Sequence, residues 1–520
     1  FIKKLEKHHR VELNWFWLKM LILFSILCII GFFCGKIYLR QRRLLKYVRH
    51  LPTENGLPLV GIGHRFIGQS TTGIYNQLIR ISESFENPSR YWFGPTLIIV
   101  VSSPNDMQTV LNSPHCLQKP YLYSFFDVEN NGLFMAKAHI WKPTRKLLNP
   151  TFNNKILSSF IPVFNEKTKI MADNLMPLSH GAEPFDISKQ FFACTLDMVC
   201  ATTLGAHYEF QTGKNTDVLE CMEKYSEVIA ERMVKLWLHW DVIFKWSNLC
   251  KVQMKLFEII DTLPKEIHQL KKKQFKKSQS NAVEKSNESE EFKEPQIFVD
   301  ELLRLESAGL IDDRMVADQI QTIIVGGNET TALTSSHVIL MLAMHQDVQE
   351  RAFQEIKSAH ASQYSDTDAE VMTKLNYLEM VIRETMRILP VGPFLGREAL
   401  EDVKISKCTI PKGALILLAF HVLHRDKSVW GPNPEKFNPE HFLPQKVAQR
   451  HPYSFLPFSA GPRNCIGIKY GWMSMKVMLS ALLRRYKFTT DLKLEDLVGK
   501  WDITLKIVNR HFVRIEPRVY

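Results

Sequence analysis

The chain has 520 residues, 45% hydrophobic and 23% charged. These are the proportions of an ordinary globular protein, and they exclude fibrous and wholly disordered classes, while the length excludes a small disulfide-stapled scaffold. The net charge is +12, but residues 1–50 hold eleven Lys or Arg against only Glu6 and Glu12, so the rest of the chain carries +3. A basic balance gathered at one end is not the footprint of a nucleic-acid-binding surface, and no nucleic-acid partner is expected.

Residues 20–35 (MLILFSILCIIGFFCG) are a charge-free apolar run of 16, which reaches 21 when extended back to Trp15, with Lys19 its only charge. That is long enough to cross a bilayer, with Lys19 snorkelling at one end and Trp15, Phe16 and Trp17 as an interfacial aromatic belt. A cleaved signal peptide would have a shorter apolar region. Here Lys36, Arg40, Arg42, Arg43, Lys46 and Arg49 follow, as after a stop-transfer segment. Residues 1–50 are therefore expected to be a transmembrane anchor with basic flanks. The basic residues on its two sides lean toward a cytoplasmic location for the bulk of the chain. The sequence opens on Phe1 rather than Met, and further residues are expected before it. Residues 51–63 (LPTENGLPLVGIG) contain two prolines and three glycines and cannot continue a helix. They are expected to be a stiff hinge, with residues 64–520 as one catalytic body.

Apolar runs at 91–93 and 97–101 around Gly94-Pro95 predict a hairpin. From about residue 105 to 310 the spacing is mostly helical. Residues 271–294 are low in complexity, and a flexible solvated loop between two long helices is expected there. Short apolar strands recur at 414–420 and in the alternation Ile503, Leu505, Ile507. The expected fold class is predominantly α with small β-sheets. There is no repeat and no GxGxxG or Walker-type loop for a nucleotide. The nine cysteines form no CxxC pair, which argues against a zinc ribbon and suits a reducing compartment.

Residues 458–467 read FSAGPRNCIG. A lone thiolate ligand to a large flat metal cofactor needs glycines where a Cβ would clash, a cation for acidic substituents, and a positive setting for the sulfur. Gly461 and Gly467, Arg463, and the helical spacing that begins after Cys465 answer those needs, and Phe458 would shield the sulfur. The pattern FxxGxRxCxG resembles the haem-ligand loop of the cytochrome P-450 superfamily, and the likeness runs from the anchor to the C-terminus. It implies the cytochrome P-450 fold behind an N-terminal transmembrane helix, and haem b (iron protoporphyrin IX) with Cys465 as axial thiolate.

Other segments acquire expected roles from that resemblance. Residues 318–332 (DQIQTIIVGGNETTA) have helical period but carry adjacent glycines, which cost about 1–2 kcal/mol in a helix. In the superfamily the matching segment lies over the haem. Glu329 would supply protons and Thr330 would steer O–O cleavage over peroxide release; taken alone, such a threonine bonds its own i−4 carbonyl. Glu384 and Arg387 stand at i and i+3 and would frame the haem. Glu301–Arg304 has the same spacing and is expected to be a solvated pair, since only Glu384–Arg387 has the superfamily's setting. The third frame member falls at His441 in FNPEHF, where the superfamily usually has arginine; imidazole offers one donor rather than a fork. Trp141 and Arg145 (WKPTR), Arg397 and Arg463 would hold the haem propionates.

Residues 132–152 resemble the family-4 clan, which includes fatty-acid and hydrocarbon ω-hydroxylases and many invertebrate members. Several family-4 enzymes attach haem covalently through a glutamate just before the distal glycine. Gly326 stands there, so noncovalent haem is expected. Pocket candidates are the loop 116–134, Ile323, Thr330 and Leu395, with Phe125 and Phe126 either lining the cavity or packing the core. The function implied is a haem-thiolate monooxygenase that inserts one oxygen atom from dioxygen into a hydrophobic fatty acid, hydrocarbon, hormone or xenobiotic. It would take electrons from NADPH-cytochrome P-450 reductase, with a b-type cytochrome as a second donor, docked over Lys142, Lys146, Lys469 and Lys476. The implied location is the endoplasmic reticulum membrane, with the body facing the cytoplasm. The alternatives are an oxygen-independent haem-thiolate isomerase or dehydratase, which would alter the Glu329–Thr330 pair, and a non-catalytic haem- or lipid-binding protein.

Overall fold

The computed structural model describes residues 2–126, 131–181, 183–213, 217–284 and 296–520. The first helix, α1 (Ile2–Val48), runs 47 residues, about 70 Å at 1.5 Å per residue. Its stretch Trp15–Val48 is long and apolar enough to cross a membrane. From Trp15 to Leu39 its large apolar side chains are mostly exposed, whereas Leu44 and Val48 are buried in a core with Leu51 and Ile410. The last turns of the anchor helix thus belong to the body, ahead of the proline-rich segment.

The hairpin forms as expected from β1 (Ser89–Phe93) and β2 (Thr96–Val101). It turns at Gly94, whose φ of 58° favours glycine. Two late strands, β3 (Phe394–Glu398) and β4 (Leu415–Ala419), complete a sheet of order β1-β2-β4-β3. The β2–β4 pair is parallel and the β3–β4 pair antiparallel. A parallel pair cannot be closed by a tight turn; here more than 300 residues separate its strands, and helices fill the interval.

Those helices include α2 (Ala138–Leu148), α3 (Ser188–Thr203), α4 (Asp217–Val234) and α5 (Asn248–Glu284). α5 corrects the expected loop at 271–294, because residues 271–284 are its C-terminal turns. The Lys/Gln-rich sequence there is composed of good helix formers, and a solvated helix needs no burial of its own. Phe275 packs on the core and Lys272 pairs with Glu306 at 2.6 Å, which anchors the extension. The remainder of the expected loop, 285–294, lies outside the described residues.

The central helix is α6 (Asp313–Met344), capped by the Asp312 carboxylate, which accepts from the Met315 N–H at 2.7 Å. Its C-terminal half is buried on every side, as a core helix must be. α7 (Asn376–Ile388) and α8 (Ile468–Arg485) pack against it. A last hairpin joins β5 (Gly499–Asp502) to β6 (Thr504–Ile507) across the single residue Ile503. The architecture is predominantly α with small sheets, as expected.

Candidate active site

A cavity of about 520 Å³ lies inside the body, within the range of small-molecule and cofactor sites. Cys465, Trp141, Arg145, Arg397, Arg463 and Phe458 line it, and so do Gly326, Gly327, Glu329 and Thr330. Residues separated by more than 300 positions therefore line one cavity.

Cys465 stands two residues before Gly467, the N-cap of α8. Its backbone N–H donates to the Phe458 carbonyl at 3.1 Å, which closes the loop. Burial pushes its thiol up, against the opposing pull of the Gly467 N–H and the Arg145 charge. The two loop glycines do different things. Gly461 has φ 72°, and a Cβ there would lie 2.1 Å from the Leu111 carbonyl oxygen, so the close approach is to a neighbouring helix end. At Gly467 a Cβ would sit 3.9 Å from the sulfur, an ordinary contact.

The rim of the cavity is cationic. Arg145 donates to the Asn464 carbonyl at 2.8 Å and to its side-chain oxygen at 3.0 Å. Arg397 donates to the Gly396 carbonyl at 2.9 Å. Arg463 donates to the carbonyls of Leu117 and Ala136, lies over the Trp141 ring at 5.1 Å, and leaves its Nε buried without a partner. Burial, followed by repulsion from Arg397, lowers the Arg463 pKa to about 9. A fourth cation, Lys119, carries no sequence motif and was not anticipated. Its ammonium sits 3.8 Å from the Phe134 ring centroid and 4.2 Å from that of Tyr123. Burial, together with Arg463 and Arg397, holds its pKa well below the usual lysine value. Among the described residues none of these four cations has a carboxylate partner. Buried like charges need a counter-ion. A flat group bearing two carboxylates, with a metal at thiolate reach, fits this donor set.

The distal wall is the middle of α6. Gly326 faces open space, where an added Cβ would meet nothing within 4 Å. A Cβ on Gly327 would lie 2.7 Å from Val199 Cγ2 of α3, so this glycine permits the close packing of the two helices. The Thr330 hydroxyl donates to the Gly326 carbonyl at 2.7 Å, the i−4 bond foreseen for a threonine taken alone. The Glu329 carboxylate accepts from the Thr504 hydroxyl at 2.8 Å and lies 3.2 Å from Lys506 Nζ. Of the pocket candidates, Ile323, Leu395 and Phe126 line the cavity. Phe125 instead packs in a small core with Ile229 and Met233.

Behind the cysteine loop, Glu384 and Arg387 form a fully buried bidentate pair at 2.7 and 2.8 Å. His441 Nδ1 lies 3.0 Å from Glu384 Oε1, so the imidazole does occupy the third position. Arg387 also donates to the carbonyls of His424, Pro434 and Lys436. Arg450, another unanticipated residue, donates to the His441 carbonyl and stacks on Trp430 at 4.2 Å. The rival Glu301–Arg304 pair is only half solvated, with the arginine side chain 47% exposed and the glutamate 14%, and it does not line the cavity. Among the four lysines expected to receive a redox partner, Lys142, Lys146 and Lys469 are exposed. Lys476 is not available, because it is tied to Glu379 at 2.8 Å and to the Met372 carbonyl at 3.0 Å.

Comparison with known proteins agrees with this geometry. The family model described as Cytochrome P450 matches residues 51–511. A Drosophila melanogaster protein named probable cytochrome P450 313a4 is 30% identical, with the alignment covering 93% of this chain and 98% of the relative. Cytochrome P450 4g15 of the same fly is 29% identical over 92% of this chain and 94% of its own length. Cytochrome P450 4c21 of Blattella germanica is 30% identical over 88% and 91%.

Proposed function

The chain belongs to the cytochrome P450 family, within the family-4 clan of invertebrate enzymes, and we propose that this haem-thiolate monooxygenase oxidises a hydrophobic fatty acid, hydrocarbon, hormone or xenobiotic at the endoplasmic reticulum membrane. Its body faces the cytoplasm and takes electrons from an NADPH-dependent reductase. Haem b with a cysteine thiolate ligand supplies, when bound, the activation of dioxygen.

Cys465 provides the thiolate, and the Gly467 N–H and the Arg145 charge favour its anionic form. Arg145, Arg397 and Arg463, with the Trp141 indole N–H, take the two propionates, which relieves the mutual repulsion of the buried cations. The absence of a side chain at Gly326 leaves the ring held without a covalent ester. Phe458 covers the cysteine side. Glu384, Arg387 and His441 fix the segment that carries the loop. On the distal side Glu329 relays protons into the cavity through its carboxylate. Thr330 spends its own hydrogen on the Gly326 carbonyl, so its oxygen is left to accept from a protonated guest. The apolar walls exclude water and accept a substrate chain. Exposed Lys142, Lys146 and Lys469 offer the reductase a positive face.

The observation that carries this reading is one cavity shared by the Cys465 sulfur, the Glu329–Thr330 segment and a rim of uncompensated cations. A carbon-monoxide difference spectrum of the reduced protein tests it. The wild type should give the thiolate-type Soret band and Cys465→Ala should not; a band that survives the substitution refutes the ligand assignment. NADPH-dependent oxygen uptake with dodecanoic acid as probe separates a monooxygenase from an oxygen-independent enzyme.

A further inference from the structure

The β5–β6 hairpin presents two unlike faces. Residues in a strand alternate sides, and Lys500 pairs with Lys506 as Asp502 pairs with Thr504, so these four polar side chains share one face. Two lysines directly opposed repel each other unless acids come between them. Here acids do. Lys506 Nζ lies 3.2 Å from Glu329 and 3.4 Å from Asp502; Lys500 Nζ lies 3.5 Å from Asp502 and 2.7 Å from Glu227, which is partly exposed on α4. Glu223, also on α4, is 3.6 Å from Lys500. An unbroken line of alternating charge thus joins the surface to the distal acid.

The Thr504 hydroxyl and the Lys506 ammonium both meet the same atom, Glu329 Oε1. The tip of the hairpin, Ile503, has φ 76°, an outlying conformation for a β-branched residue, and it lines the cavity. Such strain persists only where surrounding contacts enforce it. The contacts to Glu329 are of that kind, since they tie the hairpin to α6 just behind its tip.

We propose that Lys506 is the positioning residue for Glu329: together with Thr504 it pins one carboxylate oxygen and couples the acid to a strained hairpin that lines the cavity. The proposal rests on the reading of Glu329 as the proton donor. The charges facing Lys506 are Glu329 from α6, Asp502 from β5 and Glu223 from α4. Burial opposes the ammonium, but those three acids outweigh it and leave the Lys506 pKa raised, so it remains charged throughout the working range.

The test uses the haem-loaded protein with purified NADPH-cytochrome P450 reductase and dodecanoic acid as probe. Lys506→Met should slow the oxygen consumption about tenfold by misplacing the acid, with Lys506→Arg restoring most of the rate. Thermal unfolding supplies a readout independent of turnover, since Lys506→Met and Glu329→Gln should be non-additive in a double-mutant cycle. Should Lys506→Met misfold, Thr504→Val removes the other contact and should slow the same reaction. An unchanged rate in a folded Lys506→Met protein, or strictly additive effects, overturns the proposal. If Glu329→Gln itself leaves the rate unchanged, it is the proton-donor reading of Glu329 that fails. If Glu329→Gln is impaired while Lys506→Met is normal, only the present inference fails.

Discussion

His441 closes a buried triad with one ring nitrogen where a guanidinium would bring a fork. Glu384 is fully buried. Burial pushes its carboxyl up, but the Arg387 and His441 hydrogen bonds and charges outweigh that and leave it below its ordinary 4.5. A lowered carboxyl contributes stability that is complete above the unfolded value and lost as pH falls through the folded one. His441→Ala should therefore cost about 1–3 kcal/mol near neutrality and move acid unfolding to higher pH, measured as unfolding midpoint against pH. Equal acid midpoints for variant and wild type would remove His441 from the frame. At this scale much of the site was legible, because Cys465, Arg463, Glu329, Thr330, Glu384 and Arg387 each sit in a short window whose spacing carries meaning. Lys119, Lys506, Asp502 and Arg450 were not legible. Each meets its partners through the chain's long-range folding, and a lone charged residue in sequence looks like any solvated one.

Among the elements, α6 shows two adjacent glycines under different constraints. Gly327→Ala drives a methyl to within 2.7 Å of Val199 Cγ2, whereas Gly326→Ala points one into open space. The first should destabilise by about 1–3 kcal/mol of overpacking, partly offset by about 1 kcal/mol of helix propensity. The second should raise stability by up to about 1 kcal/mol. Denaturant unfolding of both variants checks this, and Val199→Ala should rescue the first; equal effects at the two positions would contradict the packing. The sequence period announced the helix but could not assign the glycines, because the partner surface comes from α3, more than a hundred residues away. The C-terminal turns of α5 were missed for a related reason: low apolar content rules out a core, but it does not rule out a solvated helix.

For the molecule as a whole, the anchor is not the sole apolar surface. Trp240, Val242 and Trp246 are exposed, Trp246 to 87%. They belong to a short segment whose Leu236 packs beside Gly63 and Gly94, close to where α1 enters the body. Apolar side chains of this kind, rimmed by polar ones, suit the edge of a bilayer. A chain lacking residues 1–36 keeps the buried Leu44 and Val48, and should still sediment with phospholipid vesicles. Adding Trp240→Ser and Trp246→Ser should release it to the supernatant; continued sedimentation would locate the second contact elsewhere.

The helix long and apolar enough to cross a membrane runs without interruption into the body, docked there through Leu44 and Val48 before any proline intervenes. Such a joint transmits torque. A span relieves hydrophobic mismatch by leaning, and the lean changes with the thickness of the surrounding lipid. With no swivel between them, a lean of the helix in a bilayer would be passed on to the body. Lipid composition would then act on this enzyme as a mechanical input, turning a lever whose short arm is the pair of turns that carry Leu44 and Val48.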